Sequence, residues 1–300
     1  MHVRGRIKAV AVGAMLVVAA PVGLAMADDG RDRDSYGGGP RGDHRELDVR
    51  GVTGDGRLIK FDSGKPGDAR TAGKISGLVT DTKLVGIDYR PATGADGDHG
   101  DLYGLGNAGG VYVVNAHNAK LSLVSRLDIA LEGTSFGVDF NPTVDRLRVI
   151  SDTGQSLRAN VDTGATLVDG RLTYPGPPVA NATGETGAAY TNNDADPNTA
   201  TTLFDIDSAL DQVAIQSSAN AGTLAATGKL GFDTDATIGS DIYSTIRNGT
   251  TVDVEGFASL TVGGRSGFYS VQLLTGRATA QGQFAWKNQV TAIAIPLNQR

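Results

Sequence analysis

Short apolar runs with period-two alternation recur along the chain, separated by clusters of Gly, Asn, Asp and Thr. The most regular begin GIDYRP at Gly86, GVDFNP at Gly137, GAAYTN at Gly187, GSDIYS at Gly239 and AIAIPL at Ala292, spaced by 51, 50, 52 and 53 residues. Behind each of the first four comes a second run: LYGL at Leu102, LRVI at Leu147, LFDI at Leu203 and FASL at Phe257. A third follows: VYVVN at Val111, LRANVD at Leu157, VAIQ at Val213 and FYSVQL at Phe268. The units close on a fourth strand ending in SRL at Ser125, GRL at Gly170, GKL at Gly228 and GQF at Gly282. Turn chemistry such as DTG at Asp152 and Asp162 falls between the runs. This patterning predicts antiparallel strands throughout, and no long amphipathic helical stretch interrupts it.

Four strands in a unit of about fifty residues make a propeller blade. The N-terminal runs RLIKF at Arg57 and TAGKI at Thr71 supply outer strands of a further blade without its innermost one. TAIAIP at Thr291 is an innermost strand with nothing after it. Residues 48–85 and 288–300 together number 51, the size of one more unit. The expected fold is therefore an all-β, five-bladed β-propeller, closed by pairing the C-terminal strand with the N-terminal blade. Closure of this kind removes exposed sheet edges.

That domain is expected over residues 47–300. Residues 28–46, DDGRDRDSYGGGPRGDHRE, mix charge with glycine and bury almost nothing, so they read as a flexible linker. Residues 1–27 carry Arg4, Arg6 and Lys8, then an uncharged run ending in AMA before Asp28. They read as a secretory signal peptide, with Pro21 and Gly23 arguing against a membrane anchor. A secreted or cell-surface protein follows, without membrane insertion after cleavage. Loss of the three basic residues of that segment takes the formal charge from −6 to −9. So acidic a chain is poorly suited to nucleic acid or anionic lipid. With no cysteine, neither disulfides nor thiolate metal sites are available.

The segments GVDFNPTVDRLRVISDTGQSLRANVDTGA, TGAAYTNNDADPNTATTLFDIDSALDQVAIQ and AGTLAATGKLG resemble the bacterial family called domain of unknown function 4394. The likeness extends over nearly the whole mature domain. It implies an exported or surface-associated protein of no established activity, with no catalytic residues to carry over.

Candidate chemistry lies in four places. GTSFG at Gly133 satisfies G-x-S-x-G, but Ser135 runs straight into a strand and the histidines stand at 2, 44, 99 and 117. A serine hydrolase needs a strand-to-helix turn and a histidine in reach, so Ser135 is expected to be a connection residue. DGDHGD (Asp96, Asp98, Asp101) and NNDADPN (Asp194, Asp196, Asn198) set oxygen side chains at alternate positions, as calcium loops do. Neither completes a twelve-residue EF-hand loop, and plain solvated turns have the same composition. Asp88, Asp139 and Asp241 occupy one position of three innermost strands, with Ala189 and Ala294 in the other two. They are expected to converge on the axis, where carboxylates raise one another's pKa unless a cation joins them. Local pairing with backbone, or with an arginine such as Arg146 or Arg148, is the alternative. Arg146, Arg148, Arg158 and Trp286 are the candidate ligand contacts, against a reading of strand-surface pairing and packing. No cofactor is expected, calcium at the acidic positions excepted.

The functional expectation is a secreted, non-catalytic binding module for an extracellular protein or glycan. The alternative is a calcium-dependent enzyme, a lactonase-like hydrolase or a lyase, acting at the axial channel. Fold alone does not choose between them.

Overall fold

The computed structural model describes residues 46–94 and 98–299. The expected signal peptide, the linker up to residue 45, and Asp96 lie outside the described residues. Period-two patterning has become five four-stranded antiparallel sheets. From the axis outward, the second blade comprises Leu84–Arg90, Asp101–Gly106, Gly110–Val114 and Leu121–Arg126. The third comprises Phe136–Asn141, Arg146–Ser151, Ser156–Ala159 and Thr166–Val168. The fourth runs Glu185–Tyr190, Leu203–Asp207, Gln212–Gln216 and Leu224–Lys229. The fifth runs Gly239–Arg247, Thr250–Val262, Arg265–Val271 and Ala278–Gln283.

The first blade closes the ring. Its innermost strand is the C-terminal Val290–Ala294, followed outward by Asp48–Thr53, Arg57–Asp62 and Arg70–Lys74. Arg50 lies opposite Ala294 and Gly51 opposite Ile293 in antiparallel register. The first and last strands of the propeller domain thus share one sheet, as the residue count predicted.

Two of the glycines that open the repeat motifs have a backbone-packing reason. A Cβ on Gly137 would lie 2.7 Å from the backbone of Gly187 and Ala188, and one on Gly239 would lie 2.6 Å from the Ile293 nitrogen. At the junctions of the third with the fourth blade and of the fifth with the first, the innermost strands therefore touch backbone to backbone, which only a residue without a side chain permits. Alternate side chains of each sheet face the next blade and make the core there. Between the fifth and first blades, Phe61 packs edge-on against Phe268 and Phe284 at 5.1 and 5.0 Å, and Phe257 stacks on Phe268. Between the second and third, Tyr103 meets Phe140 at 5.4 Å.

Two local expectations need correction. The fourth strand of the third blade stops at Val168, so GRL does not end it. Instead the Gly170 N–H bonds Asn220 and the Leu172 N–H bonds Gly154, carrying the chain into an added hairpin, Thr173–Tyr174 with Ala180–Asn181. The second strand of the fifth blade begins already at Thr250, ahead of FASL, because the Gly239–Arg247 strand pairs with it along its whole length. Among the described residues, no helix is long and apolar enough to cross a membrane.

Candidate functional site

An innermost strand has a sheet neighbour on one side only, so every second amide points at the axis with no ladder partner. Burying such a group unpaired is costly. In this ring the amides concerned are those of Tyr89, Phe140, Tyr190, Ile242 and Ile295, each one residue past the Asp/Ala layer. Asp88 accepts from its own Tyr89 at 2.7 Å and from Phe140 of the next blade at 2.7 Å. Asp139 accepts from Tyr190 at 2.8 Å, and Asp241 from Ile295 at 2.6 Å and from its own Ile242. Three carboxyls thereby serve all five amides. Their partners are backbone groups, with neither Arg146 nor Arg148 among them.

The same three residues each bring an oxygen within 4.8 Å of the others, and all are buried. Burial, then repulsion from Asp241, holds the Asp88 carboxyl well above the usual range. Burial, then repulsion from Asp88 and Asp241, does the same to Asp139. Burial lifts Asp241 to about 7. The arrangement can hold a proton among the carboxyls, and its oxygen donors are also the kind that a hard cation takes.

At the end of the ring where the innermost strands begin, a pocket of about 280 Å³ opens. Thr53, Asp55, Lys74 and Thr291 wall it from the first blade, Lys83 and Leu84 from the second, Ser135 and Phe136 from the third, and Thr237 and Ile238 from the fifth. Deeper along the axis, the layer of Gly86, Gly137, Gly187 and Gly239 leaves a void of only about 10 Å³. The carboxyls lie beyond it, at the next odd step of the strands. Ser135 is thus a mouth residue that leads directly into a strand, and among the described residues no hydrogen bond reaches its hydroxyl. His99 and His117 sit in turns at the opposite end of the strands, with His99 Nδ1 2.7 Å from the Leu297 carbonyl oxygen.

The arginine candidates are engaged within the protein. Arg148, 1% exposed, donates to Asp169 at 2.6 Å, Ser156 at 3.0 Å, Asn220 at 3.0 Å and Tyr190 at 3.1 Å. Arg158 shares Asp169 at 2.6 Å. Arg146 turns back onto the carbonyls of Val144 and Asp145. Trp286, 69% exposed, lies under the Arg265 guanidinium at 5.6 Å.

The acidic loops cap their own turns. Asp98 accepts from the His99 amide, Asp194 from Asp196 and Thr251, and Asp196 from both nitrogens of Asn198. Asp101 opens a strand, where its amide donates to Thr93. Among the described residues these loop carboxylates join no group of three that could share an ion.

The family model described as "Domain of unknown function (DUF4394)" matches residues 57–294. The chain belongs to this family. No curated protein matches this DUF4394 member. Of solved structures, it is similar to one of a nidogen/laminin complex at 9% identity, covering 85% of this chain and 100% of that one, with a TM-score of 0.43. It is similar also to an auxiliary nutrient binding protein from Bacteroides ovatus at 12% identity, covering 81% of this chain and 52% of that one, with a TM-score of 0.37.

Two groups of residues escaped the sequence reading of this DUF4394 domain. Lys83 belongs to no repeat motif and Lys74 sits in the GKI that ends TAGKI, so only their position at the mouth singles them out as a pair. Glu185, Asp205 and Asp207 form a second buried acidic group between the third and fourth blades. The Tyr174 hydroxyl of the added hairpin lies 2.8 Å from Glu185 and 2.9 Å from Asp207, and Gln212 donates to it at 2.9 Å. Burial pushes Glu185 and Asp205 well upward, with Arg148 opposing the rise at Asp205. LFDID gave no signal for this group: its aspartates are buried, and Tyr174 of the hairpin reaches Asp207.

Proposed function

We propose that this protein is a secreted, non-catalytic binding module for an extracellular protein or glycan, with the axial mouth as its recognition site. One observation carries the reading: a pocket of about 280 Å³ assembled from four blades, with threonine and serine hydroxyls and two lysines around an apolar floor. Concave sites with an apolar lining and a few placed polar groups are where small ligands and chain termini seat. A rigid ring presents such a site at little ordering cost, because its walls are strand ends. The placement of Ser135 also supports binding over hydrolysis, since both described histidines stand at the far end of the strands.

The test is saturable binding of the purified domain to immobilised extracellular polysaccharides and envelope proteins. A broad ester and lactone hydrolysis screen, with and without calcium, runs beside it. Binding without turnover is expected. Turnover lost in Ser135→Ala, or turnover that needs both calcium and the axial aspartates, would replace this reading with an enzymatic one.

A further inference from the structure

The mouth carries a charge opposite to that of the chain as a whole. Lys74 and Lys83 both line it and are exposed, and neither makes an ion pair among the described residues. The one acidic residue of the lining, Asp55, is already held by Arg57 at 2.9 Å and by the Thr53 hydroxyl at 2.5 Å. The uncompensated charge of the pocket is therefore positive, in a protein of formal charge −6. An anion entering the mouth would therefore meet two ammonium groups that no carboxylate of the lining already holds.

The hydroxyls add a second requirement. Neither Ser135 nor Thr237 makes a side-chain hydrogen bond within the described residues, so each offers a donor and an acceptor to whatever enters. Leu84, Phe136 and Ile238 supply apolar surface beneath them. An anionic group, several hydroxyls and an apolar C–H face are together the chemistry of an acidic sugar ring.

The site also extends along the same face. Arg57 binds Asp55 of the pocket wall and, through Nη2, the Lys287 carbonyl at 2.8 Å. The residue before Lys287 is Trp286, the exposed indole stacked on Arg265. A sugar ring seated in the mouth thus has, one connection away, an aromatic platform of the type on which a neighbouring ring lies flat.

We infer that the axial mouth and Trp286 form two subsites for an anionic oligosaccharide, its acidic ring in the pocket between Lys74 and Lys83 and an adjoining ring against Trp286. This rests on the binding-module reading and specifies its ligand class. A carboxylate, a sulfate or a phosphate ester on the sugar would satisfy the same lysines.

The experiment is titration calorimetry of the purified domain with three probes: oligogalacturonate, a sulfated dextran oligomer and neutral dextran of matched length. Binding of one or both acidic probes is expected, weakening as salt is raised, with neutral dextran bound at least about tenfold less. The stronger acidic arm identifies the source of the charge. The double variant Lys74→Ala, Lys83→Ala should lose roughly ten- to a hundredfold in affinity with its melting temperature unchanged, while the double Arg variant retains binding. Trp286→Ala should weaken the oligomers and leave monomeric galacturonate unaffected. Equal binding of neutral and acidic probes, or undiminished affinity in the double Ala variant, overturns the inference. Failure of all three probes together with saturable binding of an envelope protein also overturns it, while leaving the broader binding-module reading in place. Substrate turnover at Ser135 removes both.

Discussion

The Asp88 side chain crosses from the second blade to the third and accepts the backbone N–H of Phe140 at 2.7 Å. Asp139 does the same to Tyr190 of the fourth blade, and Asp241 to Ile295 of the first. Three of the ring's five junctions are therefore latched at one level by a carboxyl from the preceding blade. The latch is needed because those amides belong to buried residues and have no strand partner on the axial side.

Asp88→Ala leaves the amides of Tyr89 and Phe140 without partners. The expected loss of stability is about 2–4 kcal/mol, from two buried donors left unsatisfied. Asp88→Asn keeps one acceptor and should lose less. Urea unfolding with an unchanged m-value checks both; no loss in the Ala variant would show that the latch contributes nothing.

Stability should rise on acidification from neutral pH. Burial lifts the Asp241 carboxyl to about 7, and burial with mutual repulsion raises Asp88 and Asp139 as well. In the unfolded chain these groups titrate near 3.9. The folded state binds the extra protons, so their stabilising effect is complete below the unfolded value and is lost as pH climbs through about 7. Melting temperature is expected to increase as pH falls from about 7 toward about 4. Asp241→Asn should flatten the profile; a wild-type optimum at pH 7 or above contradicts the assignment.

Calcium distinguishes a shared proton from a shared cation. The axial carboxyls already accept from five amides, and three side chains fall short of the six to eight oxygen ligands that calcium takes. Millimolar calcium should leave the melting temperature of the wild type unchanged at pH 7. A rise that chelator reverses and Asp241→Asn abolishes would give the trio to a cation, by mass action on the folded state.

Arg148 should behave as a structural cation. It is the largest fully buried side chain, and it ties Asp169, Ser156, Asn220 and Tyr190 together. Arg148→Ala is expected to cost about 3–5 kcal/mol, since its buried partners lose their charge-assisted bonds. Arg146→Ala, whose guanidinium bonds only nearby carbonyls, should change stability by no more than about 0.5 kcal/mol. Similar losses for the two would remove the distinction.

Deleting residues 290–300 takes the innermost strand from the first blade and exposes the edge of Asp48–Thr53. Loss of cooperative unfolding for the whole ring is the expected result, read by circular dichroism and calorimetry. Retention of a sharp transition would mean that the remaining blades are stable as an open arc.

Much of the fold is legible in the repeat itself. Gly137 and Gly239 mark where backbones touch, and a spacing of 50 to 53 residues reports one blade each. The equivalence of Asp88, Asp139 and Asp241 could be seen for the same reason: residues at one position of successive repeats must meet at one level of the ring. Closure followed from counting, because an innermost strand without a blade and a blade without an innermost strand have a single joint solution. These features are periodic, and periodicity is a property of sequence alone.

What the tertiary structure decided is which way the polar side chains face and what they meet there. Arg148, Arg158 and Arg146 look alike in the pattern, yet one is enclosed among Asp169, Ser156, Asn220 and Tyr190, one shares its carboxylate and one turns toward its own turn. The mouth is built from Thr53, Lys74, Lys83, Ser135, Thr237 and Thr291, residues with no common motif that meet only because the last strand pairs with the first blade. Likewise, the aspartates could be placed on the axis from the repeat, but each also accepts an amide of the next blade, and that pairing exists only once the blades have closed into a ring. Local alternation determines a strand and its faces; the burial and partner of a charged side chain depend on the surface brought against it from elsewhere in the chain.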